Sequence, residues 1–215
     1  MDQLVNLYNQ GQMEAVIEQA EALTAQYPGA YIVWNMLGAS RAQIGILEEA
    51  LHAFDNSISL KPDYADAYYN KGYALYYLDK LDEAIEAYRI SISLKPDNAE
   101  VYSNMGVALK NQGKFDEAIL AYRKSISLKP DFAEAHYNLS FTFLHSGRLK
   151  EGLNLMEWRW KNPEFLSNER SFIQPMCDGS QSLKDKRILL WCEQGIGDTL
   201  KWSSCLSLLA SQAKH

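Results

Sequence analysis

Asparagine recurs at an interval of 34 residues, at Asn70, Asn104 and Asn138. A side-chain amide carries two N–H donors and a carbonyl acceptor. It can therefore hydrogen-bond the backbone of an extended polypeptide, whose N–H and C=O groups are the same in every sequence. If the three amides lie side by side on one surface, that surface could hold a peptide regardless of its side chains.

Tyrosines and apolar residues share the helical face of these asparagines. Residues three and four apart on a helix lie on one face, and we call this face in three successive helices the concave stripe. Its members are Asp66, Tyr69, Asn70, Tyr73, Tyr76 and Tyr77, then Glu100, Ser103, Asn104, Val107, Lys110 and Asn111, then Glu134, Tyr137, Asn138, Phe141, Leu144 and His145. Tyrosine offers amphipathic contact area with little conformational entropy to lose.

Nine residues of the concave stripe are the predicted peptide-binding residues. They are Tyr69, Asn70, Tyr73, Tyr77, Asn104, Asn111, Tyr137, Asn138 and Phe141. An alternative interpretation stays open: the asparagines could bond to the neighbouring helix while the tyrosines fill space between helices, since single surface aromatics need no special explanation. Partial exposure of the amides would favour the binding interpretation.

The charges of the stripe indicate the kind of partner. Each of its three segments begins with a carboxylate, Asp66, Glu100 or Glu134, and Lys110 is its only lysine or arginine. A groove that clamps a C-terminal carboxylate would need several basic residues, so we expect a neutral or basic protein or peptide. The formal net charge of −6 and the lack of a basic cluster argue against nucleic acid.

Composition excludes several other classes. The chain of 215 residues is 47% hydrophobic and 22% charged, which is typical of soluble globular proteins. It has neither an export signal at its start nor an apolar run that could cross a membrane, so we expect a cytoplasmic protein without a membrane partner. Three scattered cysteines and four histidines suggest neither disulfides nor a metal site, and we expect no cofactor.

A repeat of 34 residues must position the stripe. Prolines recur at Pro28, Pro62, Pro96 and Pro130, and the heptapeptide SISLKPD occurs three times in the same register. Within each unit a bulky residue is followed four positions later by a small one, and a glycine, or Asp79 in its place, suits the left-handed end of a first helix. Lys-Pro ends the second helix, and Asp63, Asp97 and Asp131 offer an N-cap or a turn.

These units resemble the tetratricopeptide repeat, a helical hairpin with this period and with the pattern W/Y…LG…A…F/Y…P. The resemblance implies an all-α, right-handed α-solenoid of stacked hairpins over residues 1–161, with about five repeats. Leu4 to Tyr27 forms a degenerate first unit, with Val16 and Ala20 in place of the usual alanine and aromatic residue. Leu149 to Trp160 is the second helix of a fifth unit, where Trp158 and Trp160 cover the end of the solenoid.

The asparagine column resembles the asparagine ladder in the repeat domain of the O-linked N-acetylglucosamine transferases. In that family the ladder holds the substrate polypeptide. The resemblance implies the same kind of backbone contact for Asn70, Asn104 and Asn138. We therefore expect a non-catalytic scaffold that binds a protein or peptide.

The period fails after residue 161, and residues 162–186 read as an irregular linker. Residues 187–215 read as an incomplete α/β unit: a strand over 187–192, a turn over 193–198 and a helix over 199–211. This segment is similar to the start of a heptosyltransferase-like domain of the two-Rossmann type, which implies a catalytic-base role for Asp198. The alternative for Asp198, which the weakness of a lone Gly-x-Gly favours, is a simple N-cap at a strand-to-helix turn.

The alternative function is therefore the substrate-recruiting region of a bacterial repeat-containing glycosyltransferase. Each doubly wound domain needs on the order of 100 residues or more. We expect no nucleotide-sugar half in the 30 residues from Lys186 to His215.

Overall fold

The computed structural model describes residues 2–156 and residue 158. These residues form helices joined by short turns: α1 (Asp2–Asn9), α2 (Met13–Gln26), α3 (Tyr31–Gln43), α4 (Leu47–Leu60), α5 (Ala65–Tyr77), α6 (Leu81–Leu94), α7 (Ala99–Asn111), α8 (Phe115–Leu128), α9 (Ala133–His145) and α10 (Leu149–Leu155). Consecutive helices pair as five hairpins, and each hairpin stacks on the next. The predicted α-solenoid of stacked hairpins is confirmed.

Small residues let the two helices of a hairpin approach closely. A Cβ placed on Gly106 would lie 2.8 Å from Cε1 of Tyr122, and one on Gly72 would lie 2.7 Å from the same atom of Tyr88. Both tyrosine rings are fully buried. Only a residue without a side chain fits opposite each ring, so the glycine and the aromatic residue fix the spacing of each hairpin together.

The hairpin turns use the left-handed residues that the spacing predicts. Gly45, Gly113 and Gly147 have positive φ, and Asp79 adopts φ of 60° at the same position of the third hairpin. Gly11 takes this place in the first hairpin with φ of 73°, although the sequence prediction did not include it. Each of these residues ends a first helix and returns the chain for the second.

The serine that opens each SISLKPD copy joins the second helix to the first. The hydroxyl of Ser91 donates to the carbonyl oxygen of Ala65 over 3.0 Å, and that of Ser125 donates to Ala99 over 2.7 Å. Ser57 makes the same bond to Tyr31. Because all three bonds span 26 residues, this hydroxyl sets how the end of each second helix sits on the start of its own first helix.

The aspartates that follow the repeated prolines take the second of the two roles that the sequence offers them, a turn rather than an N-cap. Asp63, Asp97 and Asp131 lie at the turns, but the N-cap positions of α5, α7 and α9 are the next residues, Tyr64, Asn98 and Phe132. The helices therefore start one residue too late for an aspartate cap; only Asn98 caps with its side chain, accepting from the N–H of Glu100.

The last helix is shorter than the predicted span of 149–160, because α10 ends at Leu155. Leu153 is 40% exposed, whereas Ile85 and Ile119 at the matched positions of α6 and α8 are buried. Among the described residues, no further hairpin covers this side of α10. Trp158 does pack on the final hairpin as expected, with its ring stacked on His136 at a centroid distance of 3.6 Å.

Several predictions fall outside the described residues. They are the linker over 162–186, the strand, turn and helix of 187–215, Trp160, Asp198 and all three cysteines. Among the described helices, none is both long and apolar enough to cross a lipid bilayer.

Candidate functional site

The first helices of successive hairpins lie close together. Helix α3 contacts α5, α5 contacts α7 and α7 contacts α9, while the second helices show no comparable contacts between successive hairpins. A stack whose first helices are closer together than its second helices must curve toward the first helices. The concave stripe, which lies on these helices, therefore faces the inner side of the curve.

The asparagine column makes hydrogen bonds along the stack. Asn70 donates from Nδ2 to Oδ1 of Asn35 over 3.0 Å, and Asn104 donates from Nδ2 to the hydroxyl of Tyr69 over 3.1 Å. Both partners belong to the first helix of the preceding hairpin. The two amides thus stabilise the stacking of neighbouring hairpins, as the alternative interpretation of the sequence expected.

Asn138 differs from the other two asparagines. The matched partner 35 residues earlier is Ser103, whose short hydroxyl is buried and makes no hydrogen bond to the residues that the structure describes. Across residues 2–156, the side-chain amide of Asn138 likewise has no hydrogen-bond partner, although its backbone carbonyl accepts from Thr142. Asn138 is half-buried, so its amide is in contact with solvent.

The amides that do bond between hairpins keep unused capacity. All three asparagines of the column are half-buried rather than buried. Each bond of Asn70 and Asn104 uses one of two N–H groups, which leaves a donor and a carbonyl oxygen on each side chain. Stacking and peptide binding are therefore compatible roles for the same amide.

A further hydrogen bond along the stack lies about two helical turns beyond the asparagine column. Asn111 donates from Nδ2 to the hydroxyl of Tyr76 over 3.0 Å, again to the preceding first helix. Tyr76 also packs edge-on to Tyr77, with ring centroids 5.3 Å apart. Of the predicted binding residues, Asn111 is the one that is both exposed and bonded along the stack.

Tyrosines provide the open contact area of the stripe. Tyr73 is 39% exposed and Tyr77 is 58% exposed, and their rings pack together with centroids 4.7 Å apart. Tyr137 and Phe141 form a second pair at the same separation on α9. The first pair is exposed and the second is half-buried. Large, rigid aromatic rings of this kind are common in surfaces that bind a polypeptide.

Tyr69 lies deeper than the sequence prediction implied. It packs against the core, and burial, reinforced by the nearby carboxylate of Glu100, raises its pKa to about 12. The hydroxyl of Tyr69 accepts from Asn104. Its direct contribution is to hold α5 and α7 together rather than to offer open surface.

The structure also identifies residues that sequence reasoning missed. Asn35 is the acceptor for Asn70, and Tyr76 is the acceptor for Asn111. Both bonds span 35 residues, one more than the repeat. A period of 34 residues relates each residue to its own equivalent in the next unit and not to its hydrogen-bond partner.

Comparisons with known proteins agree with this architecture. A TPR repeat profile matches residues 38–79 and 72–113, and a tetratricopeptide repeat profile matches residues 99–132. Residues 38–132 are tetratricopeptide repeats. The same hairpin geometry continues on both sides of these repeats, over α1–α2 and over α9–α10.

Three solved structures have folds similar to this one. The crystal structure of MamA superimposes with a TM-score of 0.68 and 25% identity, covering 79% of this chain and 99% of MamA. MamA of Desulfovibrio magneticus RS-1 gives a TM-score of 0.66 at 19% identity, covering 75% and 94%. YrrB, described as a TPR protein with an unusual peptide-binding site, gives 0.62 at 18% identity, covering 74% and 81%.

A curated relative is similar over a shorter stretch. Protein FlbA of Caulobacter vibrioides is 36% identical over 58 residues, which are 27% of this chain and 10% of FlbA. The match thus spans about a tenth of the length of that relative. The tetratricopeptide repeats are the part of the chain that these comparisons identify.

Proposed function

We propose that the repeat solenoid is a non-catalytic scaffold that binds a partner polypeptide along its concave stripe. The observation that carries this proposal is the half-exposed amide of Asn138, which has no hydrogen-bond partner among the described residues. It lies on the helix that carries the Tyr137–Phe141 pair. A partner strand would find a free donor and acceptor next to accessible aromatic rings.

The partner is a neutral or basic protein or peptide in an extended conformation. The asparagines would bond to its backbone, and Tyr73, Tyr77, Tyr137 and Phe141 would contact its side chains. The carboxylates of Asp66, Glu100 and Glu134 stand in the first turns of α5, α7 and α9. A partner with many acidic residues would be repelled by this row.

Panning a phage library of random peptides on the wild-type protein tests the proposal. Selected peptides would then be titrated against Asn138→Ala and Tyr77→Ala, with Leu120→Ala as the matched control. Leu120 is 65% exposed on α8, a second helix, so it lies away from the stripe. We expect affinity to fall about tenfold for Asn138→Ala or Tyr77→Ala and to stay unchanged for Leu120→Ala.

Either of two results would contradict the proposal. Peptides that bind the stripe variants as tightly as the wild type would move the binding surface elsewhere. Equal losses in all three variants would indicate a general effect on folding rather than removal of contacts.

A second candidate function rests on the segment Arg187 to Asp198 and its similarity to heptosyltransferase-like domains. In this function the solenoid would recruit a polypeptide substrate for sugar transfer, with Asp198 as the base. Reading the coding sequence beyond His215 separates the two candidates. Further strands followed by a second Rossmann half would favour the transferase, whereas their absence would favour the scaffold.

A further inference from the structure

Lys110 stands apart from the other basic residues of the solenoid. Over residues 2–156, the other half-buried lysines and arginines, Arg41, Lys61 and Lys71, each pair with a carboxylate. Lys110 is half-buried too, yet it pairs with neither a carboxylate nor an aromatic ring of the described residues. A partly desolvated charge without a partner is unfavourable and therefore calls for an explanation.

The helix itself offers Lys110 no anion. The residues three and four positions away are Gly106, Val107, Gly113 and Lys114, none of which is acidic. The carboxylate of Glu100 is ten residues back, or about 15 Å along the helix axis. Lys114, one turn further on, has its own partner in Asp82. No ion pair within α7 can therefore satisfy the ammonium group.

The surroundings of Lys110 remove water without supplying charge. Burial alone lowers its pKa, because burial disfavours the charged form of a lysine. The hydrogen bonds along the stack join residues 35 apart, so the positions that face Lys110 are Leu75 of α5 and His145 of α9. Val107 precedes Lys110 on the same face. None of these three residues carries a carboxylate.

We propose that Lys110 binds a carboxylate of the polypeptide held along the concave stripe. This inference rests on the proposed function and adds one residue that gives specificity for the partner's sequence. The ligand group is an acidic side chain within an otherwise neutral or basic segment. The carboxylates of Asp66, Glu100 and Glu134 would repel a partner with many acidic residues. The single ammonium of Lys110 can still pair with one acidic residue, so the partner should carry one carboxylate at this position.

Charge complementarity selects a carboxylate over a dianion. A phosphate group carries about two charges at neutral pH and is best bound by several basic residues or by a forked arginine. The stripe has one lysine and no arginine in the segments from α5, α7 and α9. A single carboxylate matches that one positive charge.

A peptide array that fixes one residue at a time tests the inference. Each short peptide would carry aspartate, asparagine or lysine at a single position in a mixed neutral background. The array would be probed with the wild type, Lys110→Met and Lys110→Glu, with Lys124→Met as the matched control. Lys124 is an exposed lysine on α8.

The wild type should prefer aspartate to asparagine at one position by about tenfold, since hydrogen bonds to charged groups are stronger than neutral ones. Lys110→Met should abolish this preference, Lys110→Glu should replace it by a preference for lysine, and Lys124→Met should keep it. Peptides that bind the wild type and Lys110→Met with the same preference would show that the lysine only packs its stem against the groove. In that case the proposed function stands and the inference fails, whereas the absence of any bound peptide overturns both.

Discussion

The two faces of each first helix differ in how strictly they repeat. On the face toward its own second helix, α5 and α7 both place a glycine against a buried tyrosine, Gly72 against Tyr88 and Gly106 against Tyr122. On the concave face, the same two helices carry Tyr73 and Tyr76 in one case and Val107 and Lys110 in the other. The face toward the second helix, which we call the packing face, repeats, while the concave face changes from one hairpin to the next.

This difference reflects what each face must satisfy. A hairpin can stack on an identical hairpin only if its interior dimensions are the same, so the packing face has one solution that recurs. The concave face contacts the neighbouring helices only at a few points. Its other positions are free to vary, and a partner can be recognised through the residues that differ.

Alkaline pH should produce the largest effect and should act through buried or partly buried tyrosines, Tyr88 and Tyr122 between the two helices of a hairpin and Tyr69 between successive hairpins. Burial raises the pKa values of Tyr88 and Tyr122 above the ordinary value, and that of Tyr69 to about 12. Because the unfolded tyrosines lose their protons first, near pH 10, the stability they contribute is complete below that pH and is lost as pH rises toward about 12 and beyond. Tyr69 alone accounts for on the order of 2–3 kcal/mol.

We therefore expect unfolding above about pH 10, followed by far-ultraviolet circular dichroism. Tyr88→Phe removes one buried hydroxyl and should move the alkaline midpoint upward. The same variant measured at neutral pH is the control and should unfold in urea close to the wild type. An unchanged alkaline midpoint would mean that Tyr88 does not resist ionisation in the folded state.

The repeating face was readable from the sequence because each of its rules is local. A glycine four residues after a bulky residue, and a left-handed residue at the end of a first helix, are properties of one hairpin that the period copies. Gly106, Gly113 and Asp79 were placed correctly on this basis. The sequence left the aspartates open between an N-cap and a turn because helix starts are uncertain by a residue or two; Tyr64 rather than Asp63 precedes α5, so the turn is the role they take.

For the concave face, the sequence predicts which residues lie on it but not which residues they bond to. Its members follow from helical spacing, but the partners of Asn70 and Asn104 depend on how far one hairpin is rotated against the next. That rotation offsets facing residues by one position, so Asn104 meets Tyr69 instead of Asn70. A repeat period gives the equivalent residue in the next unit and carries no information about this offset.

Gly106→Leu should give the next largest effect and again concerns the packing face. The new side chain would collide with the Tyr122 ring, which has no room to move because it is fully buried. We expect a loss of about 1–3 kcal/mol in the free energy of unfolding, measured by urea denaturation. Val107→Leu, at the next residue but on the half-exposed concave face, is the control and should cost little. Equal losses in both variants would erase the distinction between the two faces.

The smallest expected effect separates two asparagines of the concave face itself. Asn104→Ala removes the bond to the Tyr69 hydroxyl between hairpins, so we expect it to lower the free energy of unfolding by about 0.5–1.5 kcal/mol. Asn138→Ala removes an amide without such a bond and should change stability by less than about 0.5 kcal/mol. Urea denaturation of both variants, with the double variant Asn104→Ala and Tyr69→Phe to isolate the pair, measures this difference. If Asn138→Ala proves as destabilising as Asn104→Ala, the amide of Asn138 has a structural partner. The proposal that this amide is free to bind a peptide would then be wrong.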